Sequence, residues 1–231
     1  MTVPSEDAAW SRAHGGLDPS SSMWVAGWLR MVRWFAAPLV RRGVTPDAVT
    51  LTGVAVSAVV PLLAWAGDGW LLLAAVVALA AAVVDGIDGA VAVATDTASA
   101  WGRVLDPLAD RVSDLLFLTA LWLLGSPAWL CVLLGALTLL HESVRSSGVA
   151  AGLDGVGAVT VWERPSRVIV TIVVSLACGS AAVLPLPGWA PADPVGLLAS
   201  AGAAVGLVLA VVGFVHLVVA VRRQLRGCLT G

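Results

Sequence analysis

Six long apolar runs constrain this chain more than any other feature. They cover 48–66, 70–94, 98–124, 128–150, 164–184 and 195–221, which is most of the 231 residues. About 20 helical residues cross the hydrocarbon layer of a bilayer, so each run is long enough to span it. Backbone N–H and C=O groups find no water in that layer, and a helix satisfies them within one segment. Mean hydropathy is +0.94. Only 12% of the residues are charged, about half the share usual in soluble domains. The sequence therefore reads as an all-α integral membrane protein with six transmembrane helices.

The connections between runs alternate in charge. Gly67-Asp68-Gly69, Gly125-Ser126-Pro127 and the proline-rich 185–194 break the apolar pattern and hold no arginine. All 13 basic residues are arginines, and all fall on the other side. Arg12, Arg30, Arg33, Arg41 and Arg42 precede the first run, and Arg103 and Arg111 lie on the side of the second-to-third connection, in the first part of the third run. Arg145, Arg164 and Arg167 lie around the fourth-to-fifth connection, and Arg222, Arg223 and Arg226 follow the last run. The positive-inside bias then puts both termini in the cytoplasm. Basic residues that track one membrane face also speak against nucleic-acid binding. The absence of lysine and tyrosine, with abundant alanine, valine and glycine, points to a GC-rich bacterial genome and hence the bacterial cytoplasmic membrane.

Residues 1–22 are polar and lack an apolar core, which predicts a disordered cytoplasmic tail. In 23–42 Trp24, Trp28, Met31, Val32, Phe35 and Leu39 recur at helical spacing against Arg30, Arg33, Arg41 and Arg42. This is the pattern of an amphipathic helix, either lying in the membrane interface or serving as a plain juxtamembrane anchor. Gly43 to Asp47 breaks it, with Thr45 or Asp47 as the cap of the next helix. A six-span domain over 43–226 and a short tail over 227–231 complete the division. Cys131, Cys178 and Cys228 are odd in number and widely spaced, so no disulfide framework is expected. The ending Cys228-Leu229-Thr230-Gly231 lacks the residues of a prenylation box.

Within this apolar background four carboxylates stand close together. Asp85 and Asp88 are three residues apart, and Asp106 and Asp110 four, so each pair projects from one face of its own helix. Counted from Trp70, Asp85 and Asp88 lie about 22 and 27 Å along the second run; counted back from Leu124, Asp110 and Asp106 lie about 21 and 27 Å along the third. All four thus reach one layer near the cytoplasmic edge. Charges at that depth need partners, and divalent cations would supply them. All-oxygen ligands suit one or two Mg2+ or Mn2+ ions. Gly86, Gly89, Ala92 and Gly102 leave room for a neighbouring backbone or a bulky ligand.

The residues Asp85, Asp88, Gly89, Ala92, Gly102, Asp106 and Asp110 carry a resemblance. They follow the pattern D-x2-D-G-x2-A-R, eight residues, then G-x3-D-x3-D, and the chain resembles the CDP-alcohol phosphotransferases (CDP-alcohol phosphatidyltransferases). Seven of the eight motif residues match; Val93 stands where the family usually has Arg. Thr45-Pro46-Asp47-Ala48-Val49-Thr50-Leu51 is similar to a second family stretch, with Asp47 in place of Asn. The resemblance implies a membrane enzyme that moves a substituted phosphate from a CDP-linked donor, such as CDP-diacylglycerol, to an alcohol and releases CMP. It implies Asp85, Asp88, Asp106 and Asp110 as metal ligands and Asp110 as general base. Gly89, Ala92, Gly102 and Asp88 would meet the CDP donor, and Arg103 is a candidate substitute for the missing arginine. A homodimer is the family's common state.

The remaining polar residues leave choices open. Arg145, Arg164 and Arg167 either anchor topology or bind the phosphate of a phosphorylated acceptor, such as inositol phosphate or glycerol phosphate. Serine and simpler alcohols are the other acceptor candidates. His141 with Glu142 lacks the second histidine of a zinc helix, so a structural hydrogen bond is expected. Asp114, one turn beyond Asp110, is a candidate support for the site. A divalent-cation transporter is the competing class, and an inactive relative the third; a transporter would place acids near the midplane on a path to both faces.

Overall fold

The computed structural model describes residues 23–153, 158–185, 187, 188 and 190–228. The expected tail over 1–22 and the last three residues lie outside them. Every element among the described residues is a helix: α1 Met23–Arg41, α2 Pro46–Ala66, α3 Trp70–Thr95, α4 Gly102–Leu123, α5 Ala128–Ala150, α6 Arg164–Val183 and α7 Pro194–Cys228. Five of these, α2, α3, α5, α6 and α7, are long and apolar enough to cross a membrane. The chain is a multi-pass membrane protein. The sixth expected crossing, α4, has 22 residues but carries Arg103, Asp106, Asp110, Arg111 and Asp114 between its second residue and just past its middle. Those charges keep it below the same apolar standard.

The helix boundaries follow local chemistry. Thr45 caps α2, its Oγ1 accepting the Ala48 N–H at 3.3 Å. Asp96 takes a left-handed backbone (φ 53°) immediately after α3, a conformation that asparagine and aspartate tolerate better than most residues. The chain therefore turns at 96–101 instead of continuing as helix from residue 98, and α4 starts at Gly102. Ser99 Oγ then accepts the Gly102 N–H at 2.8 Å, satisfying one of the free donors at the start of α4.

The chain forms two compact units. The first holds the described part of Met1–Ala55 together with Ala81–Ala109, that is, α1, the start of α2, the end of α3 and the start of α4. Its core is Val32, Ala36, Val49, Ile87 and Val91, with Met31 and Leu39 packed against it. Gly86 is where α1 comes close: a Cβ there would sit 3.3 Å from Val32 Cγ2 and 3.4 Å from the Trp28 ring. The apolar face expected of α1 is thus divided. Val32 is buried and Met31 and Leu39 pack against the core, whereas Trp28 and Phe35 stay exposed.

The second unit holds Val56–Ala80 and the described part of Asp110–Gly231. Here α5 and α6 pack on α7 around Leu134, Trp162 and Ala210. Small residues let the helices approach, as is usual where lipid tails offer no hydrophobic drive between helices. A Cβ on Gly202 would fall 2.2 Å from Val174 Cγ2, and one on Gly213 would fall 2.8 Å from Trp162 Cβ. Trp162 comes from the connection before α6. Its ring is buried (3% exposed), and its Nε1–H donates to Thr138 Oγ1 at 2.9 Å, so the indole enters the core without losing its one polar bond.

Candidate active site

The last turns of α3 and the first turns of α4 carry the four motif carboxylates. One oxygen from each of Asp85, Asp106 and Asp110 lies within 4.8 Å of the others. Three carboxylates that close would repel one another without a cation, and an all-oxygen set suits a hard divalent ion. The residues present therefore fit Mg2+ or Mn2+. Asp110 also meets Arg164, whose Nη1 lies 2.8 Å from Oδ1.

Asp88 stands apart from that cluster. Its side chain is buried, with Oδ2 2.6 Å from Thr50 Oγ1 and Oδ1 accepting the Gly89 N–H at 2.6 Å. Thr50 Oγ1 also lies 3.1 Å from the Pro46 carbonyl, but its single proton is better placed on the nearer carboxylate oxygen. Sequence reasoning named Thr50 only as part of a motif. The signal for its role was its position one turn inside α2, on the helix face of Pro46.

Asp88 forms part of a cavity of about 180 Å³ within the first unit. Gly89, Ala92, Gly102 and Arg103 line it as well, so all five expected donor-binding residues converge there. Pro46, Asp47 and Thr50 form another wall, and Asp106 borders it. No atom lies within 4 Å of where a Gly89 Cβ would point, so the floor of the cavity is open at that residue. Arg103 is the one cation among the lining residues. Val93 is exposed and is not among them.

The three arginines proposed for an acceptor differ in setting. Arg145 pairs with Glu163, which also accepts the Thr160 N–H at 2.7 Å and the Thr160 hydroxyl at 2.8 Å. Arg167 is buried, Nη1 2.8 Å from Asp114 and Nη2 2.6 Å from Glu142. Arg164 alone of the three faces Asp110. His141 is fully buried, its Nε2 3.2 Å from Thr160 Oγ1. The Thr160 proton is already given to Glu163, so Nε2 carries the hydrogen of this bond. His141 is a structural donor, as the lack of a second histidine on its helix suggested.

Residues 43–222 match the family model described as CDP-alcohol phosphatidyltransferase. The chain belongs to this family. It is 32% identical over 179 residues to the phosphatidylinositol phosphate synthase of Mycobacterium marinum, covering 74% of each chain. It is likewise 32% identical over 151 residues to the archaetidylinositol phosphate synthase of Methanothermobacter thermautotrophicus, covering 64% of this chain and 74% of that one. Among solved structures, it is similar to the Mycobacterium tuberculosis phosphatidylinositol phosphate synthase with CDP-DAG bound. The TM-score is 0.66 at 26% identity, over 83% of this chain and 94% of the other. The same enzyme in complex with manganese and citrate gives 0.65 over 82% and 88%. As a CDP-alcohol phosphatidyltransferase the chain is a divalent-metal-dependent enzyme of phospholipid biosynthesis. It transfers a phosphatidyl group from a CDP-linked donor to an alcohol. The transporter alternative falls with that membership.

Proposed function

We propose that this phosphatidyltransferase takes CDP-diacylglycerol as donor and a phosphorylated polyol, inositol phosphate, as acceptor, releasing CMP. The observation that carries the acceptor is Arg164, a guanidinium beside Asp110 at the edge of the carboxylate cluster. The synthases named above, which make inositol phosphate lipids, support it. CDP-diacylglycerol as donor is supported by the relative that binds it and by the cavity bordered by Asp88, Gly89, Ala92, Gly102 and Arg103.

Asp85, Asp106 and Asp110 would hold the metal, with Asp88 turned to Thr50 at the cavity wall. When bound, the ion neutralises the pyrophosphate and the charge growing on CMP as it leaves. Gly89 lets the nucleotide approach the backbone, and Arg103 meets its phosphates. Arg164 takes the acceptor's phosphate by a charge-assisted hydrogen bond, which orients the free hydroxyl toward the lipid-side phosphorus. Asp110 removes the hydroxyl proton as that oxygen bonds to phosphorus; the bond between this phosphorus and the CMP oxygen breaks, and CMP carries the electron pair away. Arg145 and Arg167, held by Glu163, Asp114 and Glu142, support Arg164 instead of contacting the acceptor themselves.

Both termini lie on the cytoplasmic side in this reading, with α4 as a sixth crossing and α1 in the interface. A homodimer accords with the family. CMP release measured with inositol phosphate, glycerol phosphate, serine and free inositol tests the proposal. Inositol phosphate should be the best acceptor, and Arg164→Ala should raise its KM about tenfold or more with the donor KM unchanged. A neutral alcohol as best acceptor would reverse the assignment.

A further inference from the structure

We propose that Asp114 and Glu142 are positioning residues, a carboxylate pair that clamps Arg167 and thereby sets Arg164 against Asp110. The proposal rests on the acceptor reading of Arg164 and extends it to residues that touch neither substrate. Asp110 and Asp114 are one turn apart on α4, and Arg164 and Arg167 one turn apart on α6. They meet as two rungs, Arg164–Asp110 and Arg167–Asp114, each at 2.8 Å. The outer rung is partly open, with side-chain exposures of 18% and 29%. The inner rung is closed, at 5% for both side chains.

A third helix joins at the inner rung. Glu142 of α5 accepts from Arg167 Nη2 at 2.6 Å, and the same nitrogen lies 3.3 Å from the Trp162 carbonyl. One planar guanidinium therefore spans carboxylates from α4 and α5 and the backbone just before its own helix. Its fork has a fixed geometry, so the two carboxylates define the direction from which Arg167 arrives. A helix turns 100° per residue, so this direction also sets where Arg164 points, three residues earlier. A one-residue rotation of α6 would carry Arg164 away from Asp110.

Stability alone is a poor reason for this arrangement. Replacing a buried ion pair by apolar residues of similar size is often neutral or stabilising. What the charges add is a unique geometry, and the group whose geometry they determine is the only one of the three arginines that faces Asp110.

The test uses the full chain in detergent with CDP-diacylglycerol and inositol phosphate, and the variants Asp114→Asn, Glu142→Gln and Arg164→Ala. KM for each substrate is measured with thermal unfolding, and phenylglyoxal labelling of Arg164, followed by mass spectrometry, reads its guanidinium directly. In folded Asp114→Asn protein the acceptor KM should rise about tenfold, the donor KM should hold within about twofold, and Arg164 should label several times faster. Glu142→Gln, at the more open end of the clamp, should show the same pattern more weakly, and it decides the matter if Asp114→Asn fails to fold. Unchanged acceptor KM and labelling overturn the clamp. So does a joint rise of both KM values with a lowered unfolding temperature, which marks a merely structural pair. If Arg164→Ala leaves the acceptor KM unchanged, the acceptor reading fails by itself, and the labelling rate still decides the clamp.

Discussion

At the scale of single residues, the four motif aspartates separate into two environments. Asp85, Asp106 and Asp110 converge, whereas Asp88 is buried against Thr50. Their substitutions should therefore differ. Asp110→Asn keeps size and one ligand oxygen but loses the proton acceptor, so turnover should fall at least about a hundredfold while the donor still binds. Near-normal single-turnover CMP release would remove Asp110 from that role. Thr50→Val deletes the hydroxyl that satisfies a buried carboxylate, a loss of about 1–3 kcal/mol. Its expected signature is a weaker donor affinity with an unchanged acceptor KM, read from initial rates. Arg103→Ala should weaken binding of the donor, and adding Val93→Arg should partly restore it; unchanged donor affinity in Arg103→Ala would show that the site works with one cation fewer.

At the scale of elements, the second unit depends on close approach of α7 to its neighbours. Gly213 leaves room for Trp162, which a Cβ would meet at 2.8 Å. Gly213→Val should displace Trp162 and with it the connection that carries Glu163 to α6, at a cost of about 1–3 kcal/mol. Thermal unfolding in detergent gives the loss, and Gly188→Val, where a Cβ would meet nothing within 4 Å, is the control. Ser99 is a smaller device of the same kind. Ser99→Ala removes the oxygen that accepts the Gly102 N–H, about 1 kcal/mol at a helix start, and loosens the turn from which Asp106 departs.

At the scale of the whole molecule, five helices are long and apolar enough to cross the bilayer, and α4 brings charge to the site at the expense of its own apolarity. Single cysteines introduced at Arg42 and Ala128, both exposed, in a background without native cysteines, should react with an impermeant reagent from opposite sides of sealed vesicles. Labelling of both from one side would remove α4 from the set of crossings. Chelation by EDTA should abolish CMP release, and Mn2+ or Mg2+ should restore it.

Much of this was legible in the sequence. Helical class, the place of five of the six apolar runs, and the arginine-free connections follow from hydropathy and period alone, because a bilayer demands long apolar helices whatever their neighbours. The spacing of Asp85, Asp88, Asp106 and Asp110 put each pair on a helix face, since 3.6 residues per turn is a local rule. Local rules stop at the side chain's partner. That Asp88 turns to Thr50, 38 residues away, depends on how α2 lies beside α3, and no periodicity encodes that. That Arg167 is enclosed while Arg164 faces Asp110 depends on Asp114 and Glu142 arriving from two other helices. In sequence the arginines are three equivalent cations near one membrane face; only the tertiary structure, by burying one between carboxylates, makes them different.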